Sequence, residues 1–311
     1  MLYLSTRNKA DSFTAYRVLH TSVAPDGGVF MPMQLPVQDD IALRAFERMS
    51  FGESAATILN LFFGTKLTGW DVDFAVGRQA LDLVSAGYKI SLAESWHNPA
   101  FTHNYFQQRL FCLVRDEKYT TDIPNLWFQT VVNIAILFGV YGKYCRQEIY
   151  EFDVAVETGN LLLLLAVRYA QKMGLPIRKV ILGCLDGDGL WEFVSYGNYH
   201  TSLKEPSLGF EALLWLEFGY DETQKYITAA SKRRQYCLDE RKFEKLRGGL
   251  FAAVVGDKRV SNIIDSTMQT NNYRMERSTA RGFGALQDYR AKTGANKNTL
   301  LFARNASEGR C

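Results

Sequence analysis

The stretch from Phe152 to Cys184 leaves the chain few ways to fold. Phe152–Val156 is a short apolar run of strand length. Asn160–Met173 carries an apolar pattern of helical length, and Gly174 and Pro176 supply its stop. Lys179–Cys184 predicts a second strand. Two strands joined through a helix of this size must pair in parallel, and such crossovers are right-handed. The fold class is therefore α/β, with the sheet built around this unit.

Other segments are arranged around that core. Leu2–Thr6 alternates weakly, and Pro25–Pro36 is a loop broken by Gly27, Gly28 and Pro32. Helical spacing follows over Ile41–Met49, Glu53–Phe63 and Asp71–Ala86, the last with Phe74, Leu81 and Val84 on one face. Leu110–Val114 is apolar without a defined period, Arg115–Pro124 is a polar loop, and Asn125–Cys145 predicts a long apolar helix. Further helices are expected over Leu208–Phe218, Thr223–Lys232, Arg259–Met268 and Ala280–Tyr289, then a short strand at Leu300–Ala303. This divides the chain into a mainly helical part, residues 1–90, and an α/β core, residues 91–311.

Bulk properties narrow the partners. The 311 residues are 47% hydrophobic and 22% charged, an ordinary globular balance. With 36 basic and 33 acidic residues the net charge is +3, which argues for neither nucleic acid nor an anionic membrane as partner. The five cysteines (Cys112, Cys145, Cys184, Cys237, Cys311) are odd in number and far apart. They suggest neither a zinc site nor a disulfide framework, so a reducing cytoplasm is the expected compartment. Met1–Arg7 has no apolar signal core. The most apolar stretch, Val131–Tyr141, is interrupted by Asn133 and Gly139 and falls short of the ~20 residues that span a bilayer. It predicts a buried helix.

Four collinear regions carry a family likeness, the third spanning Val156–Ile177 and the fourth Ser278–Arg290. Tyr3-Leu-Ser-Thr-Arg7 and Ala24-Pro-Asp-Gly-Gly-Val-Phe-Met-Pro32 open the chain. Val156-Glu-Thr-Gly-Asn160 and Ala170-Gln-Lys-Met-Gly-Leu-Pro-Ile177 follow, then Ser278-Thr-Ala-Arg-Gly282 with Leu286-Gln-Asp-Tyr-Arg290. Together they resemble threonine synthase of the fold-type II pyridoxal-phosphate (PLP) enzymes. The middle pair is similar to that family's VPTGNFG…AKKMGLPI, and the Ser278 run to its HTAVG. The resemblance implies a reduced threonine-synthase-like architecture, of the kind seen in the tryptophan synthase β subunit.

The family's chemistry is not fully carried over. Its PLP is held as an imine on a lysine within a motif close to ELFHGPTLAFKD. The matching run here is Glu94-Ser-Trp-His-Asn-Pro-Ala-Phe-Thr-His-Asn-Tyr105, in which Glu94, His97 and Pro99 persist and Asn104 takes the lysine position. A carboxamide is neither basic nor nucleophilic and cannot replace an activated lysine. Only Phe106–Asp122 separates this run from Pro124, so a segment on the order of 100 residues, a small domain's worth, is missing relative to the family.

The phosphate turn has changed as well. Gly159 and Asn160 lead into a helix N-terminus, a sound anion site in principle. Yet the family's second glycine is lost in Gly159-Asn160-Leu161-Leu162, and Glu157 stands where the family has proline. A carboxylate beside a phosphate costs about 1 kcal/mol even in a water-like dielectric. The turn then reads as a glycine bend with an Asn cap. Near the last strand, Phe302-Ala-Arg-Asn-Ala306 lacks the threonine that meets the cofactor ring in the family.

The expected function is thus a threonine-synthase-like pseudoenzyme without PLP, acting as a binding, regulatory or self-associating protein. Its expected partners are a small anionic ligand, another protein or a second copy in a homodimer. One alternative is a PLP-independent enzyme that uses His97, His103 and Glu94 for acid–base work in the ancestral cleft. Another is a retained PLP-dependent threonine synthase acting on O-phosphohomoserine, with Lys118 or Lys143 recruited. No metal is expected. His97 and His103 lack i, i+4 spacing, and Asp186-Gly-Asp188-Gly lacks the distal calcium-binding glutamate, so it predicts a turn opening a helix. Lys232-Arg-Arg234 reads as a solvated face. Ser5, Thr6 and Arg7 read either as remnants of a phosphate contact or as a helix-start cap with an exposed arginine.

Overall fold

The computed structural model describes residues 1–78, 81–94, 103–200, 206–232 and 235–303. The chain opens with a small antiparallel sheet in the order β2-β1-β3, made of β1 (Leu2–Ser5), β2 (Ser12–Thr14) and β3 (Phe30–Pro32). Tyr3 on β1 is fully buried; its hydroxyl donates to the Phe62 carbonyl at 2.5 Å and its ring meets Trp127 edge-on. Four helices follow: α1 (Ala15–Leu19) after β2, then α2 (Asp40–Ala45), α3 (Phe51–Phe63) and α4 (Gly69–Val76). Capping boxes start α3 (Ser50 with Glu53) and α4 (Thr68 with Asp71), each satisfying amides that the helix itself cannot.

The helix expected over Asp71–Ala86 is not one element. Gly77, at φ 87°, ends α4, and the chain turns into a hairpin of β4 (Asp82–Gly87) and β5 (Ile90–Glu94). Phe74 is accordingly not on a shared buried face with Leu81. It is 74% exposed and stacks on Trp70 at 5.3 Å. The apolar run Leu110–Val114 proves to be the inner side of α5 (His103–Arg115), with Phe106, Leu110, Phe111 and Val114 buried.

The long apolar helix is α6 (Leu126–Cys145), capped by Asn125, whose side chain accepts from the Phe128 amide at 2.8 Å. Among the described residues it alone is long and apolar enough to cross a membrane, and it is buried almost throughout as the central helix of the core. Its Gly142 lies so close to α2's C-terminal turn that a Cβ would stand 2.2 Å from the Phe46 carbonyl oxygen.

The predicted crossover is present: β6 (Phe152–Glu157), α7 (Leu161–Lys172) and β7 (Ile177–Cys184), with β6 and β7 parallel. After it come α8 (Gly189–Tyr196), a small antiparallel pairing of β8 (Asn198–Tyr199) with β9 (Tyr236–Cys237), and between these α9 (Leu208–Phe218) and α10 (Tyr220–Ser231). Then follow α11 (Glu240–Gly249), β10 (Leu250–Val254), α12 (Asp257–Asn271), α13 (Arg277–Thr293) and β11 (Thr299–Ala303). The main sheet runs β10-β7-β6-β11-β5-β4, parallel except for β4.

Alternate residues of the strands feed opposite cores, as the period of two demands. Val154, Val180, Leu182 and Leu300 face the large core with α3, α6 and α7. Ala155, Ile181 and Leu301 face a smaller one with α12 and α13. On that second face Gly183 of β7 has no room for a Cβ, which would stand 2.4 Å from the Arg281 carbonyl oxygen. The glycine lets α13 lie directly on the strand backbone and so fixes where Arg281 sits.

Candidate functional site at the carboxyl edge of the sheet

In open parallel sheets, ligands bind beyond the carboxyl ends of the strands. Here β6 ends at Glu157 and β11 at Ala303, and the N-termini of α7 and α13 meet beside them. A cavity of about 130 Å³ lies in this corner, lined among others by Glu157, Gly159, Asn160, Glu276, Thr279 and Phe302. The two residues of the predicted phosphate turn, Gly159 and Asn160, therefore share one cavity with Thr279 of the Ser278–Gly282 run.

The turn is held from behind. The Thr158 amide donates to the Gly183 carbonyl at 3.0 Å, and its hydroxyl donates to the Asp188 carboxylate. Asp188 also caps α8 through the Leu190 amide at 2.8 Å, so the Asp186–Gly189 run opens a helix as expected. Asn160 caps α7, its side chain accepting from the Leu163 amide at 3.2 Å. Gly159 is exposed and its φ lies outside the left-handed region, so nothing in the backbone requires glycine there.

The charged part of the site is a relay along one side of this turn. Arg281, 5% exposed, donates through Nη1 to Glu157, through Nη2 to Asp257 at 2.6 Å and through Nε to the Val255 carbonyl at 3.2 Å. Asp257 also meets Arg277 at 2.8 Å. The Thr279 hydroxyl donates to the Phe302 carbonyl at 2.6 Å and lies 3.2 Å from Glu276 Oε1. This bond ties the start of α13 to the end of β11. Nearby Cys184, at the end of β7, has its thiol pushed up to about 12 by burial and by the charge of Asp188. It is not poised as a nucleophile.

The other predicted residues fall elsewhere. Glu94 ends β5, fully buried, in register with Asp82 and Ala303 along the same edge. Asn104 is exposed as the second residue of α5 and does not line the cavity. His103 opens α5, but its side chain, like all of His97, lies outside the described residues. Lys118 is exposed in the loop after α5. Lys143 donates to the Leu81 carbonyl at 2.5 Å, and burial lowers its pKa from the usual lysine value. Neither lysine lines the cavity. Of the Lys232–Arg234 triplet, Arg233 and Arg234 are also outside the described residues. Among the described residues no group of three His, Cys, Asp or Glu could hold a metal.

The Ser5–Arg7 expectation needs correcting. No helix starts there; β1 ends at Ser5, and the three residues form a clasp. Thr6 and Arg7 both donate to Glu211 of α9, which is fully buried, Arg7 through Nη2 at 3.0 Å. Ser5 donates to Asp26 at 2.7 Å, and Asp26 accepts from the Gly28 amide at 2.9 Å. The Ser-Thr-Arg and Asp-Gly-Gly segments are thus two halves of one structural knot. Sequence reading also missed Arg281, Asp257 and Glu211. For Arg281 the signal was present, because it stands at the valine of the family's HTAVG.

Comparison with known proteins bears on the whole arrangement. Residues 2–77 match the family model described as "Threonine synthase N terminus". "Threonine synthase-like 2" of Mus musculus is 36% identical over 67 residues, covering 22% of this chain and 14% of that protein. The Homo sapiens protein of the same name is 29% identical over 110 residues, covering 32% and 23%. The matched segments therefore span less than a quarter of these relatives' own length. Among solved structures, the PLP-bound threonine synthase from Brucella melitensis superposes with a TM-score of 0.80 at 16% identity, over 98% of this chain and 88% of that one. The yeast threonine synthase gives 0.80 at 16%, over 97% and 87%. At such identities the likeness is one of fold. The N-terminal segment is thus similar to that of threonine synthases, and the chain as a whole has the threonine synthase fold.

Proposed function

We propose that this chain is a threonine-synthase-like pseudoenzyme, a protein that does not hold PLP covalently and uses the carboxyl edge of its sheet for binding. The observation that carries this reading is Asn104. The family motif puts the cofactor lysine at that position, and here an exposed carboxamide stands instead, as the second residue of α5. A carboxamide offers no lone pair basic enough to attack a carbonyl.

Other features of the site support the same reading. PLP brings a phosphate and an aromatic ring. The turn that would take the phosphate carries the Glu157 carboxylate at its side, and the cavity of about 130 Å³ is below the roughly 300–1,000 Å³ typical of organic-ligand pockets. The residues present do not fit the cofactor. What the corner offers instead is a small polar seat, with the Asn160 amide, the Ser278 and Thr279 hydroxyls and two carboxylates, Glu157 and Glu276. The test is incubation with PLP, borohydride reduction and peptide mapping. No lysine should be modified stoichiometrically; a single saturable lysine adduct with an internal-imine absorbance band would overturn the proposal.

A further inference from the structure

Glu157 does more than disfavour a phosphate. Its carboxyl carbon lies 3.6 Å from the point where a Cβ on Gly159 would stand, so the carboxylate sits against the turn that leads into α7. Asn160 takes the Leu163 amide, while those of Leu161 and Leu162 belong to the set a helix cannot satisfy internally. Those amides and the helix dipole favour negative charge at the start of α7, the element this turn leads into. Arg281 grips the same carboxylate from the α13 side, and is itself fixed by Asp257 and the Val255 carbonyl.

We infer that the chain supplies its own anion: the Glu157 carboxylate, clamped by Arg281, takes the seat that an external phosphate would use at the Thr158–Asn160 turn. Ligands of this cavity therefore lack a phosphate group. The inference deepens the proposed function and rests on it in one respect, that the turn no longer serves PLP. Its physical content is an exchange. Removing the carboxylate frees volume beside the turn and leaves the Arg281 guanidinium facing it with one carboxylate partner instead of two.

The experiment is a titration of the full chain with inorganic phosphate, read by calorimetry and by the shift in thermal unfolding midpoint. The unaltered chain should show no saturable phosphate binding. Glu157→Ala should acquire it, at least tenfold tighter than the unaltered chain, and Glu157→Ala combined with Arg281→Met should lose it again. Glu157→Gln, which keeps the side-chain shape, should gain a smaller but measurable affinity and serves if the alanine variant does not fold. Phosphate bound equally well by the unaltered chain, or no gain in whichever folded Glu157 variant is measured, overturns the inference. Those results leave the missing lysine chemistry untouched, whereas a stoichiometric lysine adduct would sink the pseudoenzyme reading independently.

Discussion

Glu157 and Arg281 lie 124 positions apart in the chain and meet as an ion pair beside the turn into α7. Each is a departure from the family pattern, in which a proline and a valine take these places. Alone, either would put a charge into a largely buried corner at considerable cost. Together they neutralise one another, which accounts for two unusual residues with a single contact.

A double-mutant cycle follows from that pairing. Arg281→Met should destabilise the fold by about 3 kcal/mol, because Glu157 and the Val255 carbonyl lose their donor. Adding Glu157→Pro should cost little more, giving a coupling on the order of 1–3 kcal/mol. Urea unfolding of the four proteins measures it; strict additivity would mean the pair is not energetically linked.

The N-terminal clasp predicts a contrast between two glycines. A Cβ on Gly28 would stand 2.4 Å from Ser5 Oγ and 2.8 Å from Thr6 Oγ1, whereas one on Gly159 would meet only the Glu157 carboxyl at 3.6 Å and beyond. Gly28→Ala should therefore lose about 1–3 kcal/mol by overpacking. Gly159→Ala should be within about 0.5 kcal/mol of the parent. Glu211→Ala, which strands Thr6 and Arg7, should cost more than either, about 3–5 kcal/mol. Denaturant midpoints for the three variants give the ranking.

Acid sensitivity should centre on Glu217. Burial pushes its carboxyl up, but Arg168 at 2.6 Å and Lys172 at 3.4 Å outweigh this and hold it below the usual carboxylate range. The unfolded chain takes up the proton first. The pair's contribution is thus complete above pH ~4.3 and disappears as pH falls through the lower folded value. Glu217→Gln should lower stability at pH 7 and flatten the loss seen on going from pH 5 to pH 3. Unfolding midpoints across that window test it.

Cysteine labelling should separate exposed from buried thiols. Cys237 is exposed, whereas Cys112, Cys145 and Cys184 are buried, and burial raises the pKa of both Cys145 and Cys184. Of these four, only Cys237 should react rapidly with a maleimide at pH 8 in the folded protein, the others following on unfolding. Peptide mapping after short exposure reads the order.

Local pattern made the crossover, α6 and α9 legible, because each is long or strongly punctuated: Asn125 opens α6 and Ser207 caps α9. The hairpin of β4 and β5 was not. Its apolar residues continue the helical spacing of α4, and a single glycine, Gly77, is the one local mark of the break. Its place in the sheet also depends on β11 from the far end of the chain. Short β10 is ambiguous for another reason, since five apolar residues suit strand or helix equally. Within the site, Gly159 and Asn160 could be placed from sequence because a strand leads directly through them into a helix. Arg281 could not, since its role exists only once Gly183 lets α13 lie on the sheet.

The position of β11 has a consequence for how the protein is made. Thr299–Ala303 is inserted between β6 and β5, pairing with both. Until those residues emerge from the ribosome, the β4–β5 hairpin and the β10-β7-β6 unit have no strand to join them. The nascent chain must then wait with two unpaired strand edges, β5 and β6, open to chaperones or to aggregation. A late-synthesised strand thereby acts as the latch of the whole sheet.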